Sequence, residues 1–259
     1  MKKIFTDKKF NIFYSLFAIA LMWAAWFTVA AAVRNEYMVA SPAQSAAEFF
    51  KLFANGFFYR ALGATLLRAL CAFAVSFALA LGCACLAAFF KPFAAFMRPV
   101  AALFRSMPTM AVLLLILVWL TPKTAPAAVA FLVLFPMIYS QLAESIAGVD
   151  KELLQMAEAY KLSARAKFFY IYLPHIAPLT VEQTGKNLSF SIKLIISAEV
   201  MASTYVALGG MISEAQLYIN LPRLAALTVA AVLTGILIEV IFLLLAKLPY
   251  SRARAVRND

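Results

Sequence analysis

Between Thr180 and Tyr205 the sequence places Glu182, Lys186, Ser189, Lys193 and Ser197 at intervals of three and four residues. At about 100° per residue, these five side chains share a helical sector of about 80°. A charge facing lipid at the bilayer centre costs about 2.5–3.5 kcal/mol even on the mildest scale. The stripe must therefore face a cavity, a pathway or another helix. Glu182 and Lys186, four apart, are placed to pair. Lys193 is then the uncommitted cation, suited to an anionic solute. Glu199 lies off the stripe and is a candidate partner for Arg105 or Arg68. Interhelix pairing is the rival role for all these charges, since intramembrane polar groups often serve both ends.

Little else offers chemistry. His175 is the one histidine, and Cys71, Cys83 and Cys85 share one apolar run without metal-ligand spacing. There is no nucleophile–base set at membrane depth, so an intramembrane enzyme has nothing to work with and no catalytic residue is named. Thr184-Gly185-Lys186-Asn187 lacks the second glycine and the hydroxyl of a phosphate-binding loop. The chain is not expected to hydrolyse ATP, or to hold a metal or cofactor of its own.

The elements that position the stripe are apolar spans. Hydrophobic residues make up 65% of 259 and charged ones 14%, against roughly 45–50% and about 25% in a soluble domain. The class this implies is all-α, a polytopic membrane protein of about six transmembrane helices in one domain over 1–259. Runs near the length of a span, about 20 residues, are Phe10–Val33, Ala69–Phe90, Pro99–Leu120, Thr124–Ala143 and Leu224–Ala246. The stripe-bearing segment is the sixth, polar span. Phe10–Val33 follows a basic start and resembles a signal peptide, but its apolar run exceeds the usual h-region of about 7–15 residues, so it reads as a retained extra span. Phe49, Phe50, Phe53, Phe57 and Phe58 recur at helical spacing within 41–59 and predict a short helix packed on the outer ends of the spans.

Six spans put both termini on one side. That side collects Lys2, Lys3, Lys8, Lys9, Lys91, Arg98, Arg105, Lys151, Lys161, Arg165, Lys167, Lys247, Arg252, Arg254 and Arg257. The other has Arg34, Lys51, Arg60, Lys123 and Arg223. Basic residues concentrate in cytoplasmic loops, which predicts cytoplasmic termini and explains the net charge of +11 by contact with membrane lipid, without nucleic acid.

The one sizeable cytoplasmic connection is 144–178. Asp150 is placed to cap a helix carrying Leu153, Leu154, Ala157 and Tyr160, and Ser163 to cap a second bearing Phe169 and Tyr172. Pro174 and Pro178 are expected to stop it. Two short amphipathic helices make a knob for a groove in a partner protein; packing beneath the bundle is the alternative.

This loop resembles the cytoplasmic motif of ABC importer permeases: Glu-Ala-Ala, three residues, Gly, then Leu-Pro about a dozen residues later. Anchored on Leu173-Pro174, the motif falls on Gln155, Met156 and Ala157, with its glycine at Lys161; only Ala157 and Leu-Pro keep their type. Leu66–Phe73, Phe93–Leu120 with Arg105-Ser-Met-Pro108, Ser197–Ala202, Leu208–Ile212 and Ala215–Pro222 are similar to permeases of the nitrate, sulfonate and taurine group, so the likeness covers about 60–246. The resemblance implies a bacterial inner-membrane permease, with a second copy as a homodimer. It also implies separate ATPase subunits that use ATP and Mg, and an extracytoplasmic substrate-binding protein. Docking would fall on Leu153, Leu154, Gln155, Met156, Ala157, Glu158, Tyr160, Lys161, Leu173 and Pro174. The solute would be a sulfonate, nitrate or similar anion, or a cofactor precursor. A secondary transporter driven by an ion gradient is the alternative; it would use the same charges but not the loop helices.

Overall fold

The computed structural model describes residues 8–33, 35 and 38–255. Lys2, Lys3 and Arg257 of the basic side lie outside them. Every regular element among the described residues is helical: α1 (Lys8–Val33), α2 (Pro42–Phe53), α3 (Gly56–Phe89), α4 (Lys91–Ser106), α5 (Thr109–Trp119), α6 (Ala125–Ala147), α7 (Lys151–Ala159), α8 (Ala164–Lys167), α9 (Leu173–Ala202), α10 (Leu208–Leu217) and α11 (Leu221–Ala255). A π-turn, Phe168–Tyr172, joins α8 to α9.

The centre is α3 against α6. The buried positions of α3 include Ala61, Thr65, Ala69, Ala72, Ser76, Ala80 and Ala84, a ladder at three- and four-residue steps. Where lipid is as apolar as the core, association rests on close packing, and small side chains bring backbones together. Leu134, Ile138, Tyr139 and Leu142 of α6 enter the same core, as do Leu188, Ile192 and Ile195 of α9. Tight contact also joins α9 to α11: a Cβ on Gly185 would lie 2.6 Å from Phe242 Cβ. α1 stands off the bundle, and none of its apolar window is buried. Its indole Trp26 Nε1 donates to Ala40 O at 3.0 Å.

By length and composition α1, α3, α6 and α11 suffice to cross a membrane. The chain is a multi-pass membrane protein. Three expectations change. The run Pro99–Leu120 is not one helix: α4 and α5 meet at 93°, because Pro108 holds Met107 in extended backbone (ψ 130°). With 11 residues, α5 is about 16 Å long, roughly half the hydrocarbon thickness. The helix α3 starts at Gly56, well before Ala69, because Asn55 accepts from Phe57 N at 2.9 Å and caps it there. Phe57 and Phe58 thus leave the expected short helix, and α2 ends at Phe53. Finally, Pro174 and Pro178 do not stop a helix. Pro174 sits in the first turn of α9, where no N–H is needed, and Pro178 is carried inside it.

Candidate functional site

The helix α9 and the 150–172 loop both carry polar side chains into or beyond the bundle. In α9 the anticipated stripe is only part of the picture. Lys186, Lys193 and Ser197 are exposed, while Ser189 is buried; the Glu182 side chain lies outside the described ones. Lys193 crosses Gly235 of α11, where a Cβ would come within 3.4 Å of both Lys193 Cε and Ser189 Oγ. Ser189 Oγ is buried without a hydrogen-bond partner, and no carboxylate among the described residues lies within ion-pair distance of Lys193.

A second polar face of α9, turned away from the first, is fully engaged. Asn187 Nδ2 donates to Gln141 Oε1 of α6 at 2.8 Å, and Gln141 Nε2 returns a bond at 3.4 Å. Ser191 Oγ donates to Ala69 O of α3 at 3.0 Å. Glu199 is wholly buried. Its Oε1 accepts from Arg68, and its Oε2 accepts from Thr65 Oγ1 at 2.8 Å and Gly209 N at 3.2 Å. Thr65 Oγ1 accepts from Leu208 N at 2.9 Å, and Arg68 also donates to Val206 O at 2.9 Å. A buried carboxylate at the start of α10 is thereby hydrogen-bonded through both oxygens and paired, the condition for tolerating buried charge. Of the two partners anticipated for Glu199, the structure selects Arg68; Arg105 is at the other end, beside the loop. Thr65, Gln141, Asn187 and Ser191 carry little hydropathy signal, being isolated uncharged polar groups in apolar runs; the four-residue spacing of Asn187 and Ser191 on α9 is the available clue.

At the loop end, Asp150 Oδ1 accepts from Glu152 N at 2.9 Å and Ser163 Oγ accepts from Ala166 N at 3.2 Å, so both anticipated caps form. Between them α7 closes with Leu162 N bonded to Ala157 O and Lys161 N to Glu158 O, both 2.9 Å, the Schellman pattern. Lys161 has φ 51°. A left-handed residue is the usual place for glycine, and Lys161 is the position the motif alignment assigned to one. Ala157 is wholly buried, so it belongs to the loop's interior and not to its contact surface. Leu153, Met156 and Tyr160 face outward and are exposed, as are Phe169 and Tyr170 in the segment that follows. Gln155, Glu158, Lys161, Leu173 and Pro174 are exposed and Leu154 is half-buried. Phe89 of α3 and Tyr172 stack edge-on at 5.7 Å, which ties the loop to the bundle. Burial, with the Glu158 charge second, raises the Tyr172 hydroxyl above its ordinary range.

The three cysteines are free thiols, and no cluster of metal-ligating side chains occurs among the described residues. What remains is a polytopic, all-helical membrane protein with a charged helix, α9, and an amphipathic helical knob at one end. Residues 76–254 match the family of binding-protein-dependent transport system inner membrane components; the chain belongs to that family. No curated protein matches the sequence. Two solved structures share the fold. One is a bacterial alginate ABC transporter in complex with an alginate pentasaccharide-bound periplasmic protein: 14% identity, TM-score 0.61, covering 91% of this chain and 94% of that one. The other is a bacterial ABC transporter involved in import of the acidic polysaccharide alginate: 13% identity, TM-score 0.65, covering 93% and 96%.

Proposed function

We propose that this chain, paired with a second copy, forms the translocation pathway of an ABC importer for a small anion, and is driven by a separate ATPase bound at the 150–172 loop. The observation that carries this is the loop itself: a capped helix, a left-handed Lys161 turn, and Leu153, Met156 and Tyr160 presented together at one end of the bundle. An exposed apolar stripe on a rigid helix is what a partner's groove recognises. The partner consumes ATP and Mg; this chain supplies motion by switching between two packed arrangements. Solute arrives from an extracytoplasmic binding protein, as the family description supports, and that dependence disfavours the gradient-driven alternative. Both termini and the loop face the cytoplasm by the charge asymmetry. The open face of α9, with Lys193 beside the unpartnered Ser189, meets the solute, which favours a sulfonate or nitrate over a cation.

Co-purification with the cognate ATPase tests the loop. Met156→Asp with Tyr160→Asp should release the ATPase while the permease stays monodisperse. Retention at the wild-type level would sink the docking assignment. Lys193→Met should abolish solute-stimulated ATP hydrolysis without loosening the ATPase.

A further inference from the structure

A cavity of about 600 Å³ opens beside the loop, between the ends of α3 and α6 and the helices α4 and α7. Arg98, Arg105 and Lys151 line it, with Glu144 as the one lining carboxylate. None of these four makes an ion pair among the described residues. Arg98 and Arg105 are seven apart on α4, so both point to the same side of the helix. Three cations against one carboxylate leave an excess of two positive charges around an empty space. Alanines, Ala87 and Ala143 among them, make up much of the remaining wall, with the hydroxyls of Tyr139, Ser140 and Tyr172.

The placement of α4 says what kind of anion reaches this space. The segment α5, Thr109–Trp119, carries no charged residue and is apolar on all sides, as the bilayer interior requires, and α4 turns away from it by 93° at the end of the bundle where the cavity lies. Its side away from the arginines exposes Phe96 and Leu103. A helix crossing the end of a bundle, apolar on one side and cationic on the other, has the character of an interfacial helix, its apolar side in the acyl region and its cations at headgroup depth. Basic pockets between helices at that depth take up phosphate headgroups.

We infer that this cavity binds the phosphate of an anionic phospholipid, held by Arg98, Arg105 and Lys151. Arginine suits this role because its planar fork matches phosphate oxygens. Tyr139 and Tyr172, also in the lining, offer hydroxyls to the glycerol or headgroup. Lys151 opens α7, so a bound headgroup ties α4 to the loop.

The test uses the full chain in neutral detergent, with dioleoyl phosphatidylglycerol or dioleoyl phosphatidylcholine added, and native mass spectrometry to read retained lipid. Phosphatidylglycerol should be retained in preference to phosphatidylcholine. Arg98→Gln with Arg105→Gln should weaken its retention roughly tenfold or more, since each cation near an anionic headgroup contributes severalfold. Removing equal charge at the opposite end, with Arg60→Gln and Lys123→Gln, should leave retention unchanged. Should the arginine pair fail to fold, Lys151→Gln at the exposed start of α7 decides, with a severalfold loss expected. The proposal falls if the cavity variants retain phosphatidylglycerol like the wild type, if the control weakens it equally, or if phosphatidylcholine binds as well. Displacement by millimolar inorganic phosphate would make the ligand a soluble anion and overturn the lipid assignment.

Discussion

Glu199 and Arg68, 131 positions apart in sequence, form an ion pair with the carboxylate wholly buried and the guanidinium partly so. Through them α3, α9 and the start of α10 become one unit. Removing Arg68 leaves Glu199 charged and buried, at a cost of about 3–5 kcal/mol, while removing Glu199 leaves a guanidinium that is partly exposed and costs less. Glu199→Ala and Arg68→Ala should each lower the thermal midpoint of the purified protein substantially. The double variant should lose much less than the sum of the two. Additive losses would mean the pair contributes nothing as a pair.

The second consequence lies at Gly209, whose N–H meets the same carboxylate. A Cβ there would stand 2.5 Å from both Glu199 Cβ and Ile196 O. Two of these contacts are with α9 backbone (Val200 N lies at 2.8 Å), which has little room to yield. Gly209→Ala should destabilise by about 2–3 kcal/mol. Gly63→Ala, where nothing lies within 4 Å, should be neutral or slightly stabilising in the same melt.

Among the described residues, three other than glycine have left-handed backbone: Lys161, Ser203 and Ile219. Ile219 follows α10, with Asn220 N bonded to Ala215 O at 2.9 Å. A β-branched residue there pays roughly 1–2 kcal/mol. Ile219→Gly should therefore raise stability, by about 1 kcal/mol after the glycine's unfolded-state entropy is counted. Lys161→Gly should do the same within the loop and should preserve ATPase retention. A fall in the midpoint for both would contradict the strain argument.

How far the sequence carried this picture differs by element. The long apolar helices were legible because hydropathy sums over many residues, and both loop caps were legible because Asp150 and Ser163 sit directly before periodic runs. The break at Pro108 was not, since a proline interrupts a hydropathy profile no more than any apolar residue does. The two faces of α9 were half legible. Charged Lys186 and Lys193 stood out, whereas Asn187 and Ser191 gained meaning only once Gln141 and the Ala69 carbonyl were placed opposite them. The glycine-like turn at Lys161 was hidden by its side chain, although the motif spacing pointed to the position. Ala157 kept its type in the motif yet proved to face inward, since a small residue conserves a close approach as readily as a contact.

The central claim is that this chain moves solute only when a separate ATPase grips its loop. Uptake into proteoliposomes tests it most directly, with ion gradients collapsed by ionophores and a radiolabelled solute supplied with its binding protein. The account predicts uptake that requires internal ATP and the ATPase subunit, and that disappears when Met156 and Tyr160 are both changed to Asp. Uptake by the chain alone, following an imposed ion gradient without ATP, would contradict it.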